Sequence, residues 1–134
     1  MTSKPSDADG YRSAVFAEPW PDTLNDETFH IITACDPPSQ RRTPLENDLA
    51  DQRLHGRLQG LGLHAVRITG CSPDFAHREP GWASACTRDQ ALALAAEFEQ
   101  AAVFCVAGAQ LLLVWADGTE EFLGAAAARF SATN

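Results

Sequence analysis

Five short segments that are mainly apolar, several of them rich in β-branched or aromatic residues, predict five β-strands. The first, from Thr28 to Ala34, is rich in β-branched and aromatic residues and is apolar on both faces, so we expect it to be central in a sheet. His30 alternates into this strand and is interpreted as a core histidine. The other predicted strands are His64–Thr69, Trp82–Cys86, Ala102–Val106 and Leu111–Trp115.

Two helices are predicted between these strands, each with a capping box at its start. Thr43 serves as N-cap, Pro44 takes the first helical position and Glu46 lies three residues after the cap. This helix is expected to run to about Leu61, with an inward face formed by Leu45, Leu49, Ala50, Leu54, Leu58 and Leu61.

The second capping box consists of Thr87 and Gln90 and opens a helix that is predicted to end near Gln100. The stretch Gly70–Gly81 is interpreted as a long polar loop. Ala125–Phe130 is interpreted as a short C-terminal helix with a frayed end.

The resulting order is strand, helix, strand, strand, helix, strand, strand. It predicts an α+β fold, a ferredoxin-like (split βαβ) sheet with two helices on one face and an extra C-terminal hairpin strand. Another α+β sheet with the same elements wound differently is the alternative. We expect the opposite face to be covered by the N-terminal arm, the C-terminal segment or a second subunit, the last giving a homodimer through the open sheet face.

The length of 134 residues fits one domain. Residues 1–10 are polar and are expected to form a disordered tail. Residues 11–27 carry aromatic side chains between polar ones and are interpreted as an N-terminal arm that docks on the sheet. Residues 28–134 then form the single α+β domain.

The net charge of −8 argues against non-specific binding to nucleic acid, because such a surface repels phosphates. Residues 36–78 differ, with six arginines against five acidic residues, so an anion would be met there. No secretory signal and no apolar run of membrane-spanning length is found, so we expect a cytoplasmic protein without membrane association. Four singly placed cysteines are interpreted as free thiols.

The predicted topology gathers polar residues at one end of the sheet, where the first strand finishes and the first helix starts. Loops over a rigid sheet are where binding and catalytic sites are usually built. The residues that this end collects are Asp36, Arg41, Arg42, Glu46, Asn47, Cys71, His77, Arg78, Glu79 and Gln100.

Arg41 and Arg42 precede a capped helix start, where free N–H groups and guanidinium groups suit a phosphate or carboxylate. Exposed arginines in a solvated loop are the simpler interpretation. Glu79 is held extended by Pro80 and, with His77, is a candidate for acid–base catalysis. A structural ion pair of Glu79 with an arginine is the alternative.

Asn47 and Gln100 can contact a ligand, or can bond only to the neighbouring loop and to backbone. A metal site of Cys35, Cys71 and His77 fits no zinc spacing, so no metal site is predicted. A cysteine nucleophile, Cys35 or Cys71, with His77 as its base has equally little support.

The combination of FHIITACDPP, Glu46-Asn47, HREPGW at His77–Trp82 and FEQAAVF at Phe98–Phe104 resembles the bacterial domain-of-unknown-function family 3293, over residues 28–115. The resemblance implies a small bacterial protein of unassigned activity and suggests Asn47, Glu79, Pro80 and Gln100 as pattern positions. The chain departs from the expected pattern at Cys35-Asp36, where an aromatic or small residue followed by Asn is expected.

Three functions are therefore considered. The first is a binding or regulatory module for a small anionic ligand at Arg41, Arg42, Asn47, Glu79 and Gln100. The second is a small hydrolase or transferase that uses Glu79 and His77, and the third is a protein-interaction subunit. No cofactor is indicated by any motif.

Overall fold

The computed structural model describes residues 8–36 and 41–131. Residues 1–7 of the predicted tail, residues 37–40 and the predicted frayed end at 132–134 lie outside the described residues. Within them the elements are α1 (Ala8–Arg12), β1 (Val15–Phe16), a 3-10 helix (Asp22–Leu24), β2 (Phe29–Thr33), α2 (Pro44–Gly60), β3 (Ala65–Cys71), β4 (Arg78–Ser84), α3 (Arg88–Glu97), β5 (Ala102–Ala107), β6 (Gln110–Trp115), β7 (Glu120–Ala125) and a second 3-10 helix (Ala126–Arg129).

The strands form one curled half-barrel of seven antiparallel strands, in the order β1-β3-β4-β2-β5-β6-β7. The ferredoxin-like prediction is therefore wrong. The described residues contain three α-helices, and the sheet continues beyond the predicted strands at both edges. Part of the predicted arm adds β1, which pairs with β3, and residues after the Asp117-Gly118 turn add β7, which pairs with β6. Residues 8–10, which were assigned to the disordered tail, begin α1.

The short C-terminal helix predicted over Ala125–Phe130 is found only as a 3-10 helix, Ala126–Arg129. Ala125 itself ends β7. Gly124 just before it adopts φ +109°, a conformation that glycine tolerates and that other residues avoid, at the bulge where β7 shifts its register against β6.

Both faces of the sheet carry a buried core. One core lies between the sheet and the helices α2 and α3, and includes Ile32, Leu54 and Leu94. The other lies on the opposite face, which we call the inner face, and includes Phe29 and Ile31. The inner face is covered by residues of the arm and of the C-terminal segment, among them Ala14, Phe16, Leu24, Ala126 and the half-buried Tyr11, Trp20 and Phe130. A homodimer through this face stays a prediction.

The inward face of α2 is narrower than predicted. Ala50, Leu54 and Leu58 recur every four residues and are fully buried, whereas Leu45 and Leu49 are exposed. These two leucines lie on a different side of the helix, since each residue turns the chain by about 100°. Leu61 is also exposed, because α2 ends at Gly60 and Leu61 is its C-cap. Asp51 takes a place in the inward face and binds the Arg67 guanidinium through both carboxylate oxygens, at 2.8 and 2.7 Å.

The predicted loop Gly70–Gly81 is much shorter in the structure. β3 runs to Cys71, β4 starts at Arg78, and their ladder is continuous through Gly70 and Pro80. Pro80 is tolerated because the ladder between β4 and β2 ends one residue later, at the pair Thr33–Gly81. Gly81 is needed there, since an added Cβ would lie 2.5 Å from the carbonyl oxygen of Ile32.

None of the described helices is both long enough and apolar enough to cross a membrane.

Candidate functional site

Gln100 is buried just after α3, at the end of the sheet where β2 finishes, which we call the upper end, and its side chain joins the end of β2 to the end of α3. Its Nε2 donates to the carbonyl oxygens of Cys35 and Phe98, at 2.8 and 3.0 Å. Its Oε1 accepts from the Thr33 hydroxyl at 2.9 Å. The residue is 6% exposed, and two of these three bonds use both N–H donors of its amide. Gln100 is thus placed at the predicted end of the sheet, where its contacts fix the chain that leaves β2.

The start of α2 is bonded to the chain's own carboxylates. The capping box of Thr43 and Glu46 forms as predicted, with both reciprocal hydrogen bonds. Asp36 Oδ1 accepts from the backbone N–H of Arg42 at 2.7 Å and from Asn47 Nδ2 at 3.2 Å. The Arg42 N–H and the Asn47 amide lower the pKa of Asp36. The negative charge expected at this helix start is therefore supplied by Asp36 and Glu46.

Of the three residues predicted to bind an anion here, Asn47 and Arg42 already have hydrogen-bond partners for their side chains, and Arg41 has none within the described residues. Asn47 Oδ1 also accepts from the Asp36 N–H at 3.0 Å, so the Asn47 amide is engaged at both ends with one residue. The Arg42 guanidinium donates to Glu99 Oε2 at 3.0 Å. Arg41 is exposed and makes no hydrogen bond or ion pair within the described residues. Of the three, Arg41 is the one whose side chain is available to solvent.

Glu79 and His77 lie on the other side of the sheet. Glu79 is in β4 opposite Gly70 of β3, and His77 is the last residue of the loop before β4. His77 Nε2 and Glu79 Oε2 are 2.7 Å apart, which makes a carboxylate–imidazole hydrogen bond. The side chain of Glu79 is 31% exposed and that of His77 is 63% exposed. Because glutamate accepts this bond, a neutral His77 carries its proton on Nε2 and presents Nδ1 as an acceptor.

This pair lies at a cavity of about 120 Å³ on the inner face of the sheet. The sheet side of the cavity is formed by apolar residues of β2 and β5, notably Ile31 and Phe104, and α1 and the following turn contribute Tyr11 and Ala14. The remaining lining residues are Gly10, Ser13, Thr33, Gly70, Cys71, Ser72, His77, Glu79 and Ala102. Apolar walls with a few polar groups are typical of the lining of a small-molecule site.

Gly70 helps to make room for the cavity. It faces Glu79 across the β3–β4 ladder, so a side chain there would project on the same face as that of Glu79. A Cβ added at Gly70 would have a single heavy atom within 4 Å, the Glu79 carbonyl oxygen at 3.8 Å, which is ordinary contact. The absence of a side chain at this position leaves space beside the carboxylate.

The predicted site residues therefore fall into two groups on two faces. Asn47 and Gln100, through their side chains, and Arg42, through its backbone N–H, contact the segment after β2, while His77 and Glu79 line the cavity. Thr33 connects the groups, because it lines the cavity and its hydroxyl donates to Gln100.

Sequence reasoning missed Ile31, Phe104, Gly70 and Tyr11 as lining residues. Alternation in the strands places Ile31 with Thr33 on one face, but nothing local indicates that the arm encloses a space above them.

The cysteines at the upper end are poor nucleophiles. Burial raises the pKa of the Cys35 thiol to about 12, and burial also raises the pKa of Cys71. The Cys35 thiol lies 3.7 Å from the Pro80 carbonyl oxygen. Within residues 8–36 and 41–131 no three His, Cys, Asp or Glu side chains are arranged to hold a metal ion, so Cys35, Cys71 and His77 form no such group. The four cysteines are free thiols in the structure.

A family model described as "protein of unknown function (DUF3293)" matches residues 32–103, which is more than half of the chain. The match includes His77, Glu79, Gln100 and Thr33, while Tyr11, Ile31 and Phe104 of the cavity lie outside it. Comparison with curated proteins and with solved structures gives no match. Because the model covers residues from β2 to β5, the chain belongs to the DUF3293 family of proteins of unknown function.

Proposed function

We propose that the protein binds a small molecule in the inner-face cavity, in contact with Glu79 and His77. The observation that carries the proposal is a cavity of about 120 Å³ that joins apolar walls to a hydrogen-bonded carboxylate–imidazole pair. An apolar cavity of roughly 150 Å³ binds benzene. The part of the ligand that enters is therefore about the size of a small ring or a branched alkyl group, with a polar group directed to Glu79.

This proposal keeps the predicted binding module but changes the place and the chemistry of its ligand. A small anionic ligand at Arg41, Arg42 and Asn47 has less support, because Asp36 already accepts hydrogen bonds from Arg42 and Asn47. An additional anion at this position would be repelled by that carboxylate. A regulatory role would follow only if ligand binding changed a further interaction of the protein.

A hydrolase or transferase that uses Glu79 and His77 is the second candidate. It is favoured by the 2.7 Å hydrogen bond, which orients the imidazole with Nδ1 as a possible general base. Here Glu79 would position His77. An activity found in the wild type should fall in both Glu79→Gln and His77→Ala, and an activity unchanged in both variants contradicts this candidate.

The binding proposal is tested by NMR titration of the full chain with a library of fragments of five to eight non-hydrogen atoms. We expect some fragments to shift the backbone amides of Thr33, Gly70 and Glu79 in a saturable way. Gly70→Val should abolish these shifts, because its side chain occupies the cavity without meeting backbone closely. Gly56→Ala is the control, since Gly56 is exposed on α2 and a Cβ there would contact nothing within 4 Å.

Two outcomes contradict the binding proposal. The first is a library in which no fragment shifts these three amides. The second is a set of fragments that bind Gly70→Val as well as they bind the wild type, which would place their site elsewhere.

A further inference from the structure

We infer that the ligand of the inner-face cavity is a small monocation whose ammonium group binds the Glu79 carboxylate. The inference rests on the proposed function and specifies the class of ligand. It is carried by the unused hydrogen-bonding capacity of Glu79, by the charge of the groups around the cavity and by the apolar character of the remaining walls.

The Glu79 carboxylate can accept further hydrogen bonds at the cavity. Its Oε2 accepts from His77, and within the described residues its Oε1 makes no hydrogen bond. An ionised carboxylate offers about four lone-pair sites, so one hydrogen bond leaves most of its capacity unused. Glu79 lines the cavity and is only about one third exposed, so a donor on the ligand can reach the carboxylate where water has limited access.

The cavity has no fixed positive charge to offset this carboxylate. Among the residues that line it, none is lysine or arginine, and the one basic group is the imidazole of His77. A neutral His77 donates to Glu79 without cancelling its charge. The chain as a whole carries a net charge of −8, which raises the local concentration of cations and lowers that of anions.

The remaining walls limit the rest of the ligand to a compact apolar group. Ile31, Phe104 and Ala102 have no polar side-chain atoms. Burying a hydrocarbon group against them is therefore favourable, whereas burying a further charge is unfavourable. A second charged group would have to stay outside the cavity. A primary amine on a short branched alkyl chain fits both requirements.

The inference is tested with three probes of nearly equal shape: isobutylamine, isobutanol and isobutyrate. Each is titrated into the full chain while the amides of Thr33, Gly70 and Glu79 are followed by NMR. We expect isobutylamine to bind about tenfold more tightly than isobutanol, because a charge-assisted hydrogen bond is roughly twice as strong as a neutral one. Isobutyrate should bind most weakly of the three.

Two variants assign the effect to the carboxylate. Glu79→Gln should lower the affinity for isobutylamine about tenfold and leave that for isobutanol nearly unchanged. Glu27→Gln is the matched control, because Glu27 is exposed and its side chain makes no hydrogen bond or ion pair within the described residues. His77→Ala should keep the preference for the amine, whereas an anion held by a protonated His77 would be lost in this variant.

The outcomes separate the inference from the proposal beneath it. If isobutanol or isobutyrate binds in the cavity as tightly as the amine, the cavity binds ligands but the inference is wrong. An amine preference that survives Glu79→Gln also overturns the inference. If none of the three probes shifts the cavity amides, while library fragments do, the ligand class is wrong; if no fragment does either, the binding proposal itself fails.

Discussion

Gly81 provides a stringent test of how β4 and β2 fit together at the upper end of the sheet. In Gly81→Ala the added Cβ would lie 2.5 Å from the carbonyl oxygen of Ile32 and 2.8 Å from Cγ2 of Thr33. The nearest atom is backbone, so it cannot move aside as a flexible side chain would, and the strands must separate locally. Overpacking of this kind costs about 1–3 kcal/mol, and we place this variant near the upper end of that range.

Gly56→Ala is the matched substitution with the opposite expected sign. Gly56 lies inside α2, and a Cβ there has no heavy atom within 4 Å. Replacing an exposed helical glycine by alanine stabilises a protein by roughly 1 kcal/mol, because alanine loses less conformational entropy on folding. The two variants should therefore differ by about 4 kcal/mol, although both add a single methyl group.

Urea denaturation followed by circular dichroism measures both free energies of unfolding. For a domain of this size, 1 kcal/mol corresponds to roughly 4 °C in Tm, so Gly81→Ala should melt about 12 °C lower and Gly56→Ala about 4 °C higher than the wild type. The reasoning is refuted if Gly81→Ala loses less than about 1 kcal/mol. It is equally refuted if the two variants shift in the same direction.

Two further predictions concern ionisable groups. Because burial raises the pKa of Cys35 to about 12, its thiol should react with iodoacetamide at pH 8 far more slowly in the native protein than in urea. Mass spectrometry gives the rate for each cysteine, and equal rates for Cys35 in the two conditions would contradict its burial. Burial also lowers the pKa of His30, whose Nδ1 bonds the Cys86 carbonyl oxygen. The unfolded state then binds a proton that the native state does not, so the free energy of unfolding should fall as pH drops below about 6.5. This fall should be less steep in His30→Gln, and an equal pH dependence in the two proteins would count against the assignment to His30.

The helices α2 and α3 and most strands could be predicted because their signals are local. The capping boxes at Thr43 and Thr87 are formed as predicted, since a hydroxyl and an amide or carboxylate three residues apart suffice to fix a helix start. The edges of the sheet could not be predicted in this way. β1 has two residues and β7 starts with two glutamates, so neither has the apolar alternation that marks a strand. Both form because a neighbouring strand offers unpaired backbone groups.

The candidate site was predicted in part for the same reason. Glu79 and His77 are polar residues close to a proline, and their type and spacing were visible in the sequence. Their relation to the cavity was not, because it depends on Gly70 in another strand and on Tyr11 in the arm. The sequence also suggested a loop around Glu79, whereas the structure places it in β4, where side chains alternate strictly between the two faces. That alternation directs Glu79 to the inner face and away from α2.

The pattern positions suggested by the family resemblance separate by what their atoms contact. Asn47 bonds to Asp36, Gln100 bonds to the Cys35 carbonyl oxygen, and the Pro80 carbonyl oxygen lies 3.7 Å from the Cys35 thiol.

Three of the four positions thus contact Cys35 or Asp36 in the segment after β2, which is a structural role that the fold itself explains. Glu79 is the exception, because its side chain bonds only to His77 within the described residues. A partly buried carboxylate costs free energy wherever its charge is not compensated. Its place beside the cavity, where no contact to the segment after β2 accounts for it, is the observation on which the proposed ligand site rests.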